Sequence, residues 1–236
     1  MNAAPPEAAP PVPYGPWATL GLTVVIFIGA GMIASGLVGV VTGRGVQDSV
    51  AGGDTNAMLT AMILSGIIGT AMTAELVHLR APGRVADYLA LRWTDNGTAW
   101  RWSLLTVGYL FLALLVDNMA RVSFDVVSPH NPLANAAIGP LFLLATLFVA
   151  PVFEEVLFRG FVMEGLSPTL LGQSGAITIA ALSWALLHSQ YDVITMLLLF
   201  GFGVLLGVAR VVTGSLLLPI VLHAVFNTAS ITLSGL

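Results

Sequence analysis

Stretches of about 20 mostly apolar residues recur along the chain, separated by short clusters of Gly, Pro, Asp, Asn and Arg. Each is long enough to cross a hydrocarbon core of about 30 Å as a helix. The pattern predicts about seven spans: Trp17 to Val41, Ala57 to Leu79, Trp102 to Val122, Ala136 to Gly165, Leu171 to Ser189, Val193 to Val212 and Ser215 to Gly235. The fourth is long enough to tilt or break. Between the second and third, RVADYLALRW places Val85, Tyr88, Leu89 and Trp93 near one helical face, which predicts a short interfacial helix. Gly203 and Gly207 in the sixth span form a small-xxx-small pair, a mark of close helix packing. The expected fold is an all-α polytopic transmembrane bundle. Its parts are a disordered Pro/Ala-rich N-terminus over 1–16, N-terminal transmembrane helices with the interfacial loop over 17–135, and a transmembrane core over 136–236. The N-terminus has no basic region of the kind that opens a signal peptide, and the apolar run after it is longer than a signal core, so it is expected to be retained.

Composition agrees with a membrane setting. Of 236 residues 57% are hydrophobic and 8% charged, against roughly a quarter charged in a soluble domain. The net charge is −4 with no lysine and no basic run, which excludes nucleic-acid binding. With no cysteine, thiolate nucleophiles, thiolate metal sites and disulfides are excluded. Arg80, Arg84, Arg92, Arg101, Arg159 and Arg210 fall on the side of the N-terminus, and only Arg44 and Arg121 opposite. The positive-inside rule therefore predicts a cytoplasmic N-terminus, and the expected location is a bacterial inner membrane.

Against this apolar background the fourth span reads PVFEEVLFRG from Pro151 to Gly160. A charge at the bilayer centre costs about 2.5 to 3.5 kcal/mol on insertion scales, so these groups need compensation. Glu155 and Arg159 are four apart, with the carboxylate first, and can pair along one helix face. Glu154 is turned by about 100° from Glu155 and needs a partner elsewhere. His188 in the fifth span and His223 with Asn227 in the seventh are candidates; the latter two share a face and can converge on one point. Counted from the cytoplasmic ends, Glu154 lies roughly 16 Å deep, His188 roughly 20 to 25 Å, His223 roughly 12 Å and Asn227 roughly 18 Å, one overlapping slab. Pro151 and Pro219, shortly before Glu154 and His223, each remove a backbone donor and predict kinks. Glu75 with His78 and Asp117 with Arg121 lie near helix ends where snorkelling to water is ordinary. His130 reads as a solvated loop residue, and Trp184 as a wall packed against the helix that carries His188.

In order and spacing, EExxxR over Glu154, Glu155 and Arg159, Trp184 with His188 in place of FxxxH, and HxxxN over His223 and Asn227 resemble the CPBP family of intramembrane proteases, also called the CAAX protease and bacteriocin-processing or Abi family. Trp184 for Phe is the one departure. The resemblance covers about Ala136 to Gly235. It implies an active site between the C-terminal four helices, with Glu154 as the base that activates water and His188 helping to hold that water. It further implies His223 and Asn227 as stabilisers of the tetrahedral oxyanion, and Glu155 with Arg159 as a supporting pair. The implied partners are the lipid bilayer and a peptide or protein substrate at the membrane, of CAAX type or bacteriocin-related. Glu154, His188 and His223 also have the composition of a two-His, one-Glu zinc site, so the resemblance leaves zinc open. The competing readings are a non-catalytic scaffold or immunity-type protein of the same fold, and a transporter or proton relay.

Overall fold

The computed structural model describes residues 11–52, 54–124 and 138–234. The first residues of the N-terminal tail and of the expected fourth span, His130 and Gly235 lie outside these. The helices are α1 (Pro16–Thr42), α2 (Val46–Ala51), α3 (Thr55–Arg80), α4 (Val85–Leu89) and α5 (Asn96–Phe124), followed by a fourth apolar span and then α9 (Gly172–Leu186), α10 (Val193–Thr213) and α11 (Leu217–Ser234). The fourth span runs without a break over Pro140–Leu166. It is built of α6 (Pro140–Leu143), α7 (Ala150–Glu155) and α8 (Met163–Leu166), with π-helical stretches at Leu144–Val149 and Val156–Val162.

The chain is a polytopic helical membrane protein, and two of the seven expected spans are shorter than expected. Among the described residues, α1, α3, α5, the fourth span and α10 are long and apolar enough to cross a membrane, and α11 is a shorter apolar helix. α9 has 15 residues and reaches only about 22 Å. It stops at Leu186 rather than Ser189 because the last turn folds on itself. Leu187 N–H returns to the Ser183 and Trp184 carbonyls, and the ring of His188 takes up the Trp184 carbonyl through Nδ1 at 2.9 Å, satisfying a helix-end acceptor. His188 thus sits in a turn beyond the helix, not within a span.

Before Pro151, where the sequence predicts a kink, the helix is in π register. At the end of that stretch Ala150 N–H bonds the Ala145 carbonyl, five residues back, the register of a π-bulge. α3 packs against this irregular segment through Gly69, where a side chain would overlap the Phe153 ring. Gly203 and Gly207 seat α10 on α9 as their spacing suggests: a Cβ at Gly203 would stand 3.0 Å from that of Ala181. The glycine also leaves its carbonyl open to Arg159 Nη2, 3.1 Å away.

The two ends of the bundle are tied differently. At one, Arg80 donates to the Val12 carbonyl, Arg92 Nε to the Gly214 carbonyl at 2.6 Å and Ser215 Oγ to the Arg92 carbonyl at 2.6 Å. The N-terminal segment, the α3–α5 connection and the α10–α11 turn therefore share that end. The expected interfacial helix is α4, but it is docked into the bundle: Tyr88 and Leu89 belong to the main core. Ala90 takes a left-handed conformation at φ 50° and ends the helix, leaving Trp93 outside it, donating to Asn96 Oδ1. At the other end Asp192 caps α10 by accepting from Ile194 and Thr195 N–H. Arg121 joins it at 3.0 Å and also holds Asp117 at 2.8 Å, so α5 and α10 are bridged there. Burial pushes the Asp192 carboxyl up, but the bonds from Thr195 and Arg121 outweigh it and hold it below the usual carboxylate range.

Candidate active site

The fourth span presents its acidic pair to two different sets of neighbours. Glu155 is fully buried and its Oε1 meets Arg159 Nη1 at 2.8 Å, the expected i, i+4 pair. The same oxygen meets His223 Nδ1 of α11 at 2.9 Å. Arg159, also fully buried, completes the arrangement through the Gly203 carbonyl and lies over the Trp184 ring, 5.1 Å from its centroid, a cation–π contact. One carboxylate thus orders a cation on its own helix and an imidazole on another. Since that oxygen can only accept, Nδ1 of His223 carries the proton it donates.

Glu154 points away from this pair. Its Oε2 accepts a 2.5 Å hydrogen bond from Trp184 Nε1 of α9 and faces His223 Nε2 at 3.9 Å, too far for a direct hydrogen bond. Its side chain is 20% exposed, whereas that of Glu155 is sealed. Glu154 also lines a cavity of about 300 Å³ walled by small residues of α1 and α3, among them Gly31, Ser35, Ala61, Ser65 and Gly66. Of the two carboxylates, only Glu154 has access to space a reactant could enter.

Trp184 therefore has more than the packing role expected of it. An indole N–H buried in an apolar helix needs an acceptor, and in a chain this poor in charge a neighbouring carboxylate was the signal to follow. The ring also contacts His188 edge-on at 4.8 Å and His223 at 5.4 Å, so one aromatic plate touches both imidazoles.

The two other expected residues are placed differently. His188 is half-buried, with Nδ1 committed to the Trp184 carbonyl, so Nε2 is the nitrogen left for an outside group. Asn227 does not converge with His223. Its Nδ2 donates to the Thr146 carbonyl at 2.8 Å, while His223 bonds Glu155, because the two meet well-separated turns of the fourth span. Among the described residues no group of three or more His, Asp or Glu is arranged to hold a metal ion. In the Glu154, His188 and His223 set suggested by composition, Trp184 engages Glu154 Oε2, and the bonds at His223 Nδ1 and His188 Nδ1 leave Nε2 of each ring as the nitrogen a metal would use.

Comparison with known proteins bears on the same segment. Residues 136–229 match a family described as type II CAAX prenyl endopeptidase Rce1-like. The similarity is confined to this segment. The match is to the CPBP family that the three motifs resemble, and the matched segment carries all of them, from Glu154 to Asn227. A protein of Escherichia coli described as "Uncharacterized 24.3 kDa protein" is 36% identical over 132 residues, covering 54% of this chain and 59% of the relative. The chain thus spans less than two thirds of that relative's length. No solved structure matches.

Proposed function

We propose that the chain is an intramembrane endopeptidase in which Glu154 activates a water molecule against a peptide bond of a membrane-associated protein. The observation that carries this reading is the 3.9 Å separation between Glu154 Oε2 and His223 Nε2, beside a cavity that Glu154 lines. A water bonded to both atoms bridges that gap. As its oxygen attacks the scissile carbonyl carbon, its proton passes to the Glu154 carboxylate, and the same proton leaves on the amine nitrogen when the C–N bond breaks. The Trp184 indole holds the carboxylate in place during both transfers. His223, with Nδ1–H anchored on Glu155, presents Nε2–H to the developing oxyanion when doubly protonated. Arg159 balances Glu155, so His223 is oriented without leaving an unpaired charge in the membrane. His188, with Nε2 turned outward from its bond to Trp184, contacts the water or the substrate from the rim. The family description favours a C-terminal CAAX-type segment as substrate. We place the arginine-rich end bearing Arg80, Arg84, Arg92 and Arg210 in the cytoplasm.

The test is mass spectrometry of membrane proteins from cells carrying wild-type protein or Glu154→Gln, together with purified protein offered a prenylated CAAX peptide and its unprenylated counterpart. New termini and peptide cleavage are expected only with Glu154 intact. Full turnover by Glu154→Gln would overturn the reading. Partner binding that persists without any cleavage, in wild type and variant alike, would instead point to a scaffold. A chelator arm separates metal-free water activation, in which turnover is unchanged, from a metal route, in which zinc restores the lost activity.

A further inference from the structure

The bond between Asn227 and Thr146 has a cause that lies in the backbone of the fourth span. In the π register the amide of each residue serves the carbonyl five positions back, and Ala150 N–H does so for Ala145. The next amide in that ladder belongs to position 151, where proline has no N–H. The Thr146 carbonyl is the acceptor left over, and it receives Asn227 Nδ2 from α11 at 2.8 Å. A carbonyl only accepts, so the face of the Asn227 amide turned to it must be its NH2. Thr146 is also drawn into the ladder by its own hydroxyl, which bonds the Phe142 carbonyl at 2.7 Å.

We propose that Asn227 is a positioning residue whose side-chain amide replaces the backbone donor that Pro151 lacks, locking the π register of the fourth span and so fixing the direction in which Glu154 points. A π stretch adds one residue to a turn and rotates everything beyond it by about 100° relative to an unbroken α-helix. Glu154 and Glu155 differ by that same angle. If the register at Leu144–Val149 slipped, the two carboxylates would tend to exchange faces: Glu154 would turn away from Trp184, and Glu155, rotating together with Arg159, would leave His223. The lock sits before both glutamates in the chain and acts on them together. Its functional consequence rests on Glu154 being the base.

The experiment compares Asn227→Leu, Pro151→Ala and the double variant in the full chain purified in detergent, because Pro151→Ala supplies an N–H to the same carbonyl. Two readouts are taken: the melting temperature, and the indole ¹⁵N–¹H resonance of Trp184 in ¹⁵N-tryptophan protein, identified among five tryptophans by its loss in Trp184→Phe. Asn227→Leu is expected to lower the melting temperature by about 2 to 4 °C and to move the Trp184 resonance. Pro151→Ala alone should leave both near wild type, and the double variant should regain at least half of each change. The proposal is overturned if Pro151→Ala has the same effect in both backgrounds, if Asn227→Leu moves neither readout, or if the single and double variants alike fail to fold. Loss of proteolysis in Asn227→Leu with both readouts unmoved would make Asn227 a donor to the reacting oxygen instead. Neither readout uses turnover, so an active Glu154→Gln enzyme would remove the catalytic reading while leaving the lock independently tested.

Discussion

Replacing Arg159 by Met removes a guanidinium that is sealed from solvent between Glu155 and the Gly203 carbonyl. Met retains much of the volume, so the change falls mainly on charge. What remains is a buried carboxylate with only His223 Nδ1 beside it. Breaking a buried ion pair from one side costs about 3 to 5 kcal/mol, because the surviving charge is left without compensation. For a chain of 236 residues, each kcal/mol moves the melting temperature by about 2 to 4 °C, so a fall of about 6 to 20 °C is expected. The assay is thermal unfolding of purified protein in one detergent, followed by the loss of helical circular dichroism. The double variant Glu155→Gln with Arg159→Met tests the origin of the loss. It removes both charges and should recover most of the fall, since replacing a buried pair by neutral groups is often nearly neutral. A fall below about 2 °C in Arg159→Met would give the pair the small worth of a solvent-exposed salt bridge and refute the reasoning. So would a double variant no more stable than the single.

Trp184→Phe keeps an aromatic ring and loses only the N–H that Glu154 accepts. A hydrogen bond to a charged group contributes about 1.5 to 3 kcal/mol, so turnover is expected to fall by about 10- to 150-fold with the fold retained; unchanged turnover would return Trp184 to a packing role. Gly69→Val forces a side chain into the Phe153 ring. Overpacking of about 1 to 3 kcal/mol should lower the melting temperature by about 2 to 12 °C, and an unaffected melt would show that α3 and the fourth span can part freely. Asp192, whose carboxyl is held below its ordinary range, contributes stability that is present above the unfolded value and lost as pH falls through the folded one. Acid titration of the melt should therefore show a decline below about pH 4. Asp192→Asn, which still caps α10, should make that decline shallower, and an identical acid limb in the variant would refute the assignment.

Hydropathy alone made the membrane bundle legible, because spans of this length and composition have few other homes. The Glu155–Arg159 pair was legible too, since its partners are one helical turn apart. Sequence spacing carries less information once a bond crosses between helices. That His223 and Asn227 share a face is correct as far as it goes, but where each lands depends on the partner helix. The partner here presents Glu155 and Thr146 on well-separated turns, Thr146 within the π stretch at Leu144–Val149 and Glu155 beyond it, so His223 and Asn227 reach them separately. His188 falls outside α9 for a related reason. An apolar run does not reveal that its last carbonyls are satisfied by a side chain, and α9 ends three residues before the hydropathy does. The polar role of Trp184 is hidden from spacing because a single donor on an apolar surface finds its acceptor, Glu154, on another helix.

The shortness of α9 also matters to the membrane around it. At about 22 Å it falls well below a hydrocarbon thickness of about 30 Å, and neighbouring lipid must thin or bend to meet it. The proposed hydrolysis needs a supply of solvent, and a hydrophobic mismatch at α9 would supply it from the flank rather than through the helices. Acyl-chain length then becomes a variable of the reaction, with thinner bilayers wetting the site and thicker ones drying it.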